Sequence, residues 1–310
     1  MKISFVIPCY KSKNTIENVI SEIDEKMKAM NKYVHEIILV DDSSPDETFT
    51  VIKQICSKKN HVIGIGLSRN FGQHAALMAG FHHANGDIIV CLDDDGQTPA
   101  NEVDKLLDKI EEGSDVVYAA YREKKHSGFR NFGSHVNSMM AECLLGKPKE
   151  LFVSSYFAAR RFVIDEIIRY DNSYPYIIGL VLRTTKNIAN VDVNHREREI
   201  GQSGYSFHKL VSLWVNGVTT FSIKPLRLAI YLGMSSALLG FIYIIFIVIS
   251  KINNPSVPLG WTTIVALLLF IGGEILFVLG IVGEYVGRTY ISINSAPQYV
   301  VREMVGEVQE

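Results

Sequence analysis

The 310-residue chain has room for about two domains of the usual ~150-residue size. Its 31 Lys+Arg nearly cancel its 33 Asp+Glu, so no overall basic field is available to hold a nucleic acid, and that class of partner is excluded. Cys9, Cys56, Cys91 and Cys143 are scattered without a C-x-x-C pair, which speaks for reduced thiols in a reducing compartment and against a zinc site. In chain order, residues 3–8 predict a strand, too short for the apolar core of a signal peptide and closed by Pro8. Asn14 or Thr15 opens a helix whose apolar positions Ile16, Val19, Ile20, Ile23 and Met27 fall on one face. Residues 36–41 are the second strand. It ends in Asp41-Asp42-Ser43-Ser44-Pro45-Asp46, a turn with capping residues before a helix that runs through Ile55. A third strand, 62–67, leads through Ser68-Arg69-Asn70-Phe71-Gly72 into a helix to about Ala84. Gly86-Asp87 then turns the chain into a fourth strand, and residues 115–120 make a fifth. Strands alternating with helices specify a largely parallel, Rossmann-like α/β sheet flanked by helices.

The fourth strand carries the chemistry. Ile88 to Leu92 is an apolar run that stops abruptly at Asp93, Asp94 and Asp95. Ligands of such sheets bind at the C-terminal ends of the strands, and alternation along an extended chain points Asp93 and Asp95 one way with Asp94 opposed. Two carboxylates so placed form an oxygen-rich jaw suited to Mg2+ or Mn2+; the alternative is an acidic surface turn. Gly64-Ile65-Gly66 lies on a strand and lacks the third glycine of a dinucleotide fingerprint, and no G-x-x-x-x-G-K-[ST] occurs. A nucleotide bound here must therefore have its diphosphate held through a metal at the acid triplet.

Residues 228–250 contain no charged side chain and measure about 34 Å as a helix, enough to cross a hydrocarbon core of about 30 Å. Residues 259–283 form a second apolar stretch, broken only by Glu274. A charge at mid-span marks Glu274 as a functional candidate or, more simply, as a hydrogen-bonded helix–helix or subunit contact beside Gly272-Gly273. Lys224 and Arg227 precede the pair and Arg288 and Arg302 follow it, against Lys251 alone between them, so the positive-inside rule places both termini and the catalytic domain in the cytoplasm. The expected organisation is a domain over 1–205, a juxtamembrane segment over 206–227, transmembrane helices over 228–250 and 259–283, and a cytoplasmic tail over 284–310.

Pro8-Cys9-Tyr10, Val40-Asp41-Asp42-Ser43-Ser44, Arg69-Asn70-Phe71-Gly72-Gln73-His74, Asp93-Asp94-Asp95-Gly96-Gln97, Arg198-Glu-Ile-Gly201-Gln-Ser203-Gly-Tyr205 and Gly283-Glu-Tyr-Val-Gly-Arg288 stand in this order along the chain. Together they resemble family 2 glycosyltransferases of GT-A fold. Among these the chain is most similar to membrane-anchored enzymes that load a sugar onto undecaprenyl phosphate, relatives of dolichol-phosphate mannose synthase, including the branch that handles 4-amino-arabinose derivatives. The resemblance implies a nucleotide-sugar donor, UDP-linked, an undecaprenyl phosphate acceptor, attachment to the inner membrane and a place in cell-envelope glycan modification. It implies that Asp93, Asp95 and Gln97 hold Mg2+ or Mn2+, and that Pro8, Tyr10, Asp41, Asp42, Arg69, Asp94, Arg198 and Ser203 surround the donor. Arg122, Arg130 and Ser134 fall where similar enzymes hold the acceptor phosphate, a task that suits guanidinium forks. For Asp42 the alternative is a helix cap.

Where many relatives carry an aspartate taken as catalytic base, this chain reads Ser154-Ser155-Tyr156, with Ser155 at the aligned position. The expected catalytic set is then Asp93, Asp95, Arg198 and Ser155, with no residue assigned as the base; a displaced carboxylate, Asp165 or Asp94, is the alternative. A phosphate acceptor weakens the need for one, since its second pKa near 6 leaves it mostly dianionic at neutral pH. The competing readings are a polysaccharide-chain transferase, which two spans are too few to serve as a channel, and an inactive membrane scaffold. A homo-oligomer through the hairpin completes the expectations.

Overall fold

Strand β1 (Lys2–Cys9) is buried along residues 3–7, which is why its sequence is a nearly continuous apolar run rather than an alternating one. It pairs in parallel with β2 (Val34–Asp41) on one side and β4 (Ile88–Cys91) on the other. The structure is a computed structural model and describes residues 1–121, 142, 147–194, 224–253, 260–293 and 297–306. Helix α1 (Ile16–Met30) buries the five apolar residues predicted from its spacing, Ile16, Val19, Ile20, Ile23 and Met27, and stops at Asn31, whose left-handed backbone returns its N–H to the Met27 carbonyl. Helix α2 (Thr48–Lys58) connects β2 to β3 (Val62–Leu67), and α3 (Gln73–His83) connects β3 to β4.

That last connection sets the position of the site. The chain steps outward from β1 to β2 to β3, and α3 then carries it back past β1 to β4 on the other flank. Strand order therefore reverses between β1 and β4, and the crevice at the C-terminal ends of these two strands is the switch point where open α/β sheets bind ligands. Beyond β4 come a 3-10 turn (Ala100–Glu102), α4 (Val103–Glu111), β5 (Val116–Tyr121), β6 (Phe157–Arg160), α5 (Arg161–Ile168), α6 (Ile177–Thr184) and β7 (Ile188–Val193).

The eight-stranded order is β7-β5-β6-β4-β1-β2-β3-β8. All five predicted strands are present, and the sheet is parallel from β4 through β3 and between β5 and β7. Two strands run against this direction. β6 inserts antiparallel between β4 and β5, and β8 (Val301–Val305) lies antiparallel on the outer edge of β3. Within the segment expected as a cytoplasmic tail over 284–310, residues Val301–Val305 are an edge strand of the sheet. The acid triplet also differs from expectation: β4 ends at Cys91, so Asp93, Asp94 and Asp95 stand on the loop beyond it rather than on an extended strand.

The residues on either side of the hairpin make one compact unit and the hairpin makes another. In the second, α7 (Lys224–Asn253) and α8 (Trp261–Ile293) are about 45 and 50 Å long at 1.5 Å per residue. Among the described residues, α8 holds the window long and apolar enough to cross a membrane, Phe270–Gly287, none of it buried; the corresponding apolar stretch of α7 is Ala229–Tyr243. Phe241, Phe246, Leu268, Phe270 and Leu276 all expose more than half of their surface, the arrangement of helices whose solvent is hydrocarbon. Glu274 Oε1 is buried and has no hydrogen-bond partner among the described residues.

Candidate functional site

Carboxylates bind the loops at the C-terminal ends of the strands in pairs, the loop after β4 to that after β1 and the loop after β2 to that after β3. Asp94 Oδ2 accepts the Tyr10 backbone N–H at 2.9 Å, which fastens the loop after β4 to the loop after β1 across the switch point. Tyr10 itself exposes 46% of its surface, its ring beneath the Lys11 ammonium. Pro8 stands inside β1, opposite Val40 of β2.

Asp41 and Asp42, adjacent at the end of β2, have different tasks. Asp41 accepts the Ser44 N–H within its own turn, at 3.2 Å to Oδ2, and burial raises its carboxyl above the usual range. Asp42 spends both oxygens on the loop after β3: Oδ1 accepts the Phe71 N–H at 2.7 Å and Oδ2 the Gly72 N–H at 2.8 Å. Asp42 thus caps no helix and instead holds the loop before α3; the turn into α2 is held by Asp46, which accepts from Thr48 N and Oγ1. The loop so anchored displays Arg69, exposed, with its guanidinium 4.7 Å from the Phe71 ring centre.

Asp93 is half-buried and uses both of its oxygens. Its Oδ1 accepts from Gln73 Nε2 at 2.9 Å, at the first turn of α3, and its Oδ2 accepts from Ser155 Oγ. Burial pushes its carboxyl up to about 6, with the hydrogen bond from Ser155 opposing and the neighbouring charges of Asp95 and Asp94 adding to the rise. Asp94 is raised by burial as well, against the hydrogen bond from Tyr10. No cation among the described residues pairs with Asp93 or Asp94. Asp95 accepts the Gln97 N–H at 3.1 Å across Gly96, whose φ of +74° is a conformation that favours glycine. Tyr121, at the end of β5, lies close enough for its hydroxyl to be pushed up to about 12, by burial first and then by Asp93. Crowded, desolvated carboxylates with an amide beside them fit a hard divalent cation, which would relieve their mutual repulsion; Asp93, Asp95 and Gln97 are the residues that would hold it.

The described residues therefore bring together Tyr10, Asp41, Asp42, Asp93, Asp94, Asp95, Gln97 and Ser155. Arg122, Arg130, Ser134, Arg198 and Ser203 lie outside the described residues. Gln73 had no assigned role in the sequence reading, although its motif was noted; a polar residue opening a helix at the switch point is the signal that points to it. Ser154, next to Ser155, is structural, with its hydroxyl on the carbonyls of Ala119 and Tyr156.

Residues 4–168 match the model of glycosyl transferase family 2. The chain belongs to glycosyltransferase family 2. Residues 224–289 of this family 2 glycosyltransferase match a second model, the GtrB C-terminal hairpin. The undecaprenyl-phosphate 4-deoxy-4-formamido-L-arabinose transferase of Proteus mirabilis is 32% identical, over 98% of this chain and 94% of that protein. The Yersinia pestis protein of the same name is 33% identical, over 99% and 95%. Among solved structures, glucosyl-3-phosphoglycerate synthase of Mycobacterium tuberculosis, in complex with Mn2+, UDP-glucose and phosphoglyceric acid, superposes with a TM-score of 0.54 at 22% identity, over 71% of this chain and 78% of that one. Mannosyl-3-phosphoglycerate synthase of Rubrobacter xylanophilus does so with a TM-score of 0.51 at 19% identity, over 71% and 73%. These two likenesses establish the GT-A fold of the sheet domain.

Proposed function

We propose that this family 2 glycosyltransferase moves a sugar from a UDP-linked donor to undecaprenyl phosphate at the cytoplasmic face of the inner membrane, making a lipid-linked monosaccharide for envelope glycans. The observation that carries this reading is the match to transferases of that name through sheet and hairpin alike, 98% of the chain. The geometry supports it from both ends, with a metal-ready acid pocket at the switch point and a helix pair whose apolar side chains face outward.

Asp41 is the candidate contact for the base, since Asp42 is committed to the Phe71–Gly72 backbone. Pro8, Tyr10 and Arg69 border the same crevice and complete the donor side together with Arg198 and Ser203. Arg122, Arg130 and Ser134 are assigned to the acceptor phosphate. When bound, Mg2+ or Mn2+ supplies positive charge against the departing diphosphate. Ser155 orients Asp93 and carries no proton away; the acceptor phosphate, dianionic above about pH 6, is nucleophile enough. Topology favours a paired crossing. β8 follows the hairpin yet lies in the sheet, which supports a reading in which α7 and α8 enter the membrane together and the chain returns to the side it left.

The test is transfer of radiolabel from UDP-sugars into an organic-extractable lipid by the purified protein supplied with undecaprenyl phosphate and Mg2+ or Mn2+. Label enters the lipid, a chelator stops it, and Asp95→Asn abolishes it while the variant stays folded and membrane-inserted. Substantial transfer by Asp95→Asn would overturn the metal assignment; no transfer from any donor by the wild type would overturn the function.

A further inference from the structure

At the opposite edge of the sheet, where the parallel strands begin, a second set of ligating side chains converges. Asp24 projects from α1, His35 stands at the start of β2, and His61 immediately precedes β3. The Nε2 atoms of both imidazoles lie 2.9 Å from one oxygen, Asp24 Oδ1, and the ligand atoms of the three residues all fall within 4.8 Å of one another. The rings meet edge to face at 4.9 Å, and Phe5 packs edge-on against His35, so both imidazoles are held in orientation. His35 is six residues from Asp41 along β2, about 20 Å at 3.3 Å per residue, which separates this cluster from the acid pocket.

We propose that Asp24, His35 and His61 form a binding site for one transition-metal ion, Zn2+ foremost, distinct from the Mg2+ or Mn2+ site at the other end of the sheet. Two imidazoles and one carboxylate are the donor set that selects zinc and its neighbours over magnesium. A carboxylate is acceptor-only, so in the metal-free protein each Nε2 donates its hydrogen to Asp24. Binding requires those lone pairs, and each ring proton shifts to Nδ1 with no net change in charge. Tetrahedral ligands about 2.0–2.1 Å from zinc lie about 3.3 Å apart, so each nitrogen–oxygen separation, now 2.9 Å, need open only by a few tenths of an ångström. The side chains are 18%, 34% and 23% exposed for His35, His61 and Asp24, which gives the ion a path in and leaves solvent for its fourth position.

Lys59 is the opposing element. Its ammonium sits 2.5 Å from the other carboxylate oxygen, Asp24 Oδ2, and it neutralises Asp24 when no metal is present. A divalent ion at Oδ1 repels it, and the lysine, a third exposed, swings into solvent. Occupation would staple α1 to the leading ends of β2 and β3, and its effect is on stability rather than on transfer.

The experiment uses the full chain in detergent micelles, purified without a histidine tag, stripped with chelator and held in saturating Mg2+. Co2+ is titrated and its visible ligand-field absorption followed. One equivalent binds with four-coordinate intensity and is displaced by Zn2+, and the melting temperature rises with it. His35→Gln and His61→Gln, whose amides still donate to Asp24, weaken Co2+ by at least about tenfold; Lys59→Met tightens it several-fold; Asp95→Asn leaves it unchanged. Absent stoichiometric binding, equal affinity in the His35→Gln/His61→Gln double variant, or no tightening in Lys59→Met would overturn the proposal.

Discussion

His74 opens the question of what burial does to single residues around the crevice. It follows Gln73 on α3, its ring meets Tyr176 edge to face at 5.2 Å, and its Nδ1 is buried with no partner among the described residues. Burial pushes the imidazole from 6.5 down to about 4. Between those values the unfolded chain takes up a proton that the folded chain refuses, so the stability present above pH 6.5 falls as the pH drops and levels off below about 4. The loss approaches about 3 kcal/mol at 1.36 kcal/mol per pKa unit. Asp93, pushed by burial up to about 6, acts in the opposite sense over an overlapping range, and burial raises Asp41 and Asp42 as well. The difference between wild type and His74→Leu in denaturant melts isolates the histidine: it should shrink in favour of the variant from pH 7 to pH 4, and a pH-independent difference would contradict the assignment. None of this was legible in the sequence, where His74 was one letter of a motif. The Asp93-x-Asp95-x-Gln97 pattern could be read because its members are neighbours in the chain. The contact of Ser155 with Asp93 spans 62 positions, and only the antiparallel insertion of β6 beside β4 explains it.

Length decided part of what was legible: α1 shows its period, and β6 and β8 do not. α1 repeats its apolar residues over four turns, whereas β6 has four residues and β8 five, too few for an alternation to stand out. α3 is the informative middle case. Its residues 75–81 are buried all round, so it has no polar face to mark an orientation. Close packing on the sheet is possible because Gly80 faces β1: a Cβ there would run into Val6 Cγ1 and come within 3.3 Å of Val40 Cγ2. Gly80→Ala should therefore destabilise the domain. Helix propensity favours alanine by about 1 kcal/mol, but overpacking costs about 1–3 kcal/mol and both valines are fixed in central strands. Chemical denaturation measures the balance; a stabilised Gly80→Ala would mean that α3 can slide without cost.

At the scale of the molecule, hydropathy and charge asymmetry made the hairpin legible, and the return of the chain to the sheet was not. Val301–Val305 is exposed along most of its length and joins β3 through backbone pairing, with Lys53 and Glu303 as an ion pair and the Ser68 N–H on the Val300 carbonyl. Those contacts reach the loop that carries Arg69. They bear on the proposed topology, because a chain that crossed the membrane once would leave β8 on the wrong side. Single cysteines placed at Lys53 and at Glu303 should both label from the cytoplasmic side in inverted vesicles and not in intact cells, while one placed in the 254–259 connection should show the reverse. Opposite accessibility at Lys53 and Glu303 would contradict the paired crossing.

The account rests most heavily on the acceptor being a lipid phosphate. The direct measurement is mass spectrometry of the lipid made by the reconstituted protein from a nucleotide sugar, undecaprenyl phosphate and Mg2+ or Mn2+. The predicted product is undecaprenyl phosphate plus one sugar residue, released by mild acid, with none formed from undecaprenol, since the Ser155 hydroxyl cannot carry away an alcohol's proton. Sugar on undecaprenol, a ladder of several sugars, or sugar only on a glycan chain would contradict it.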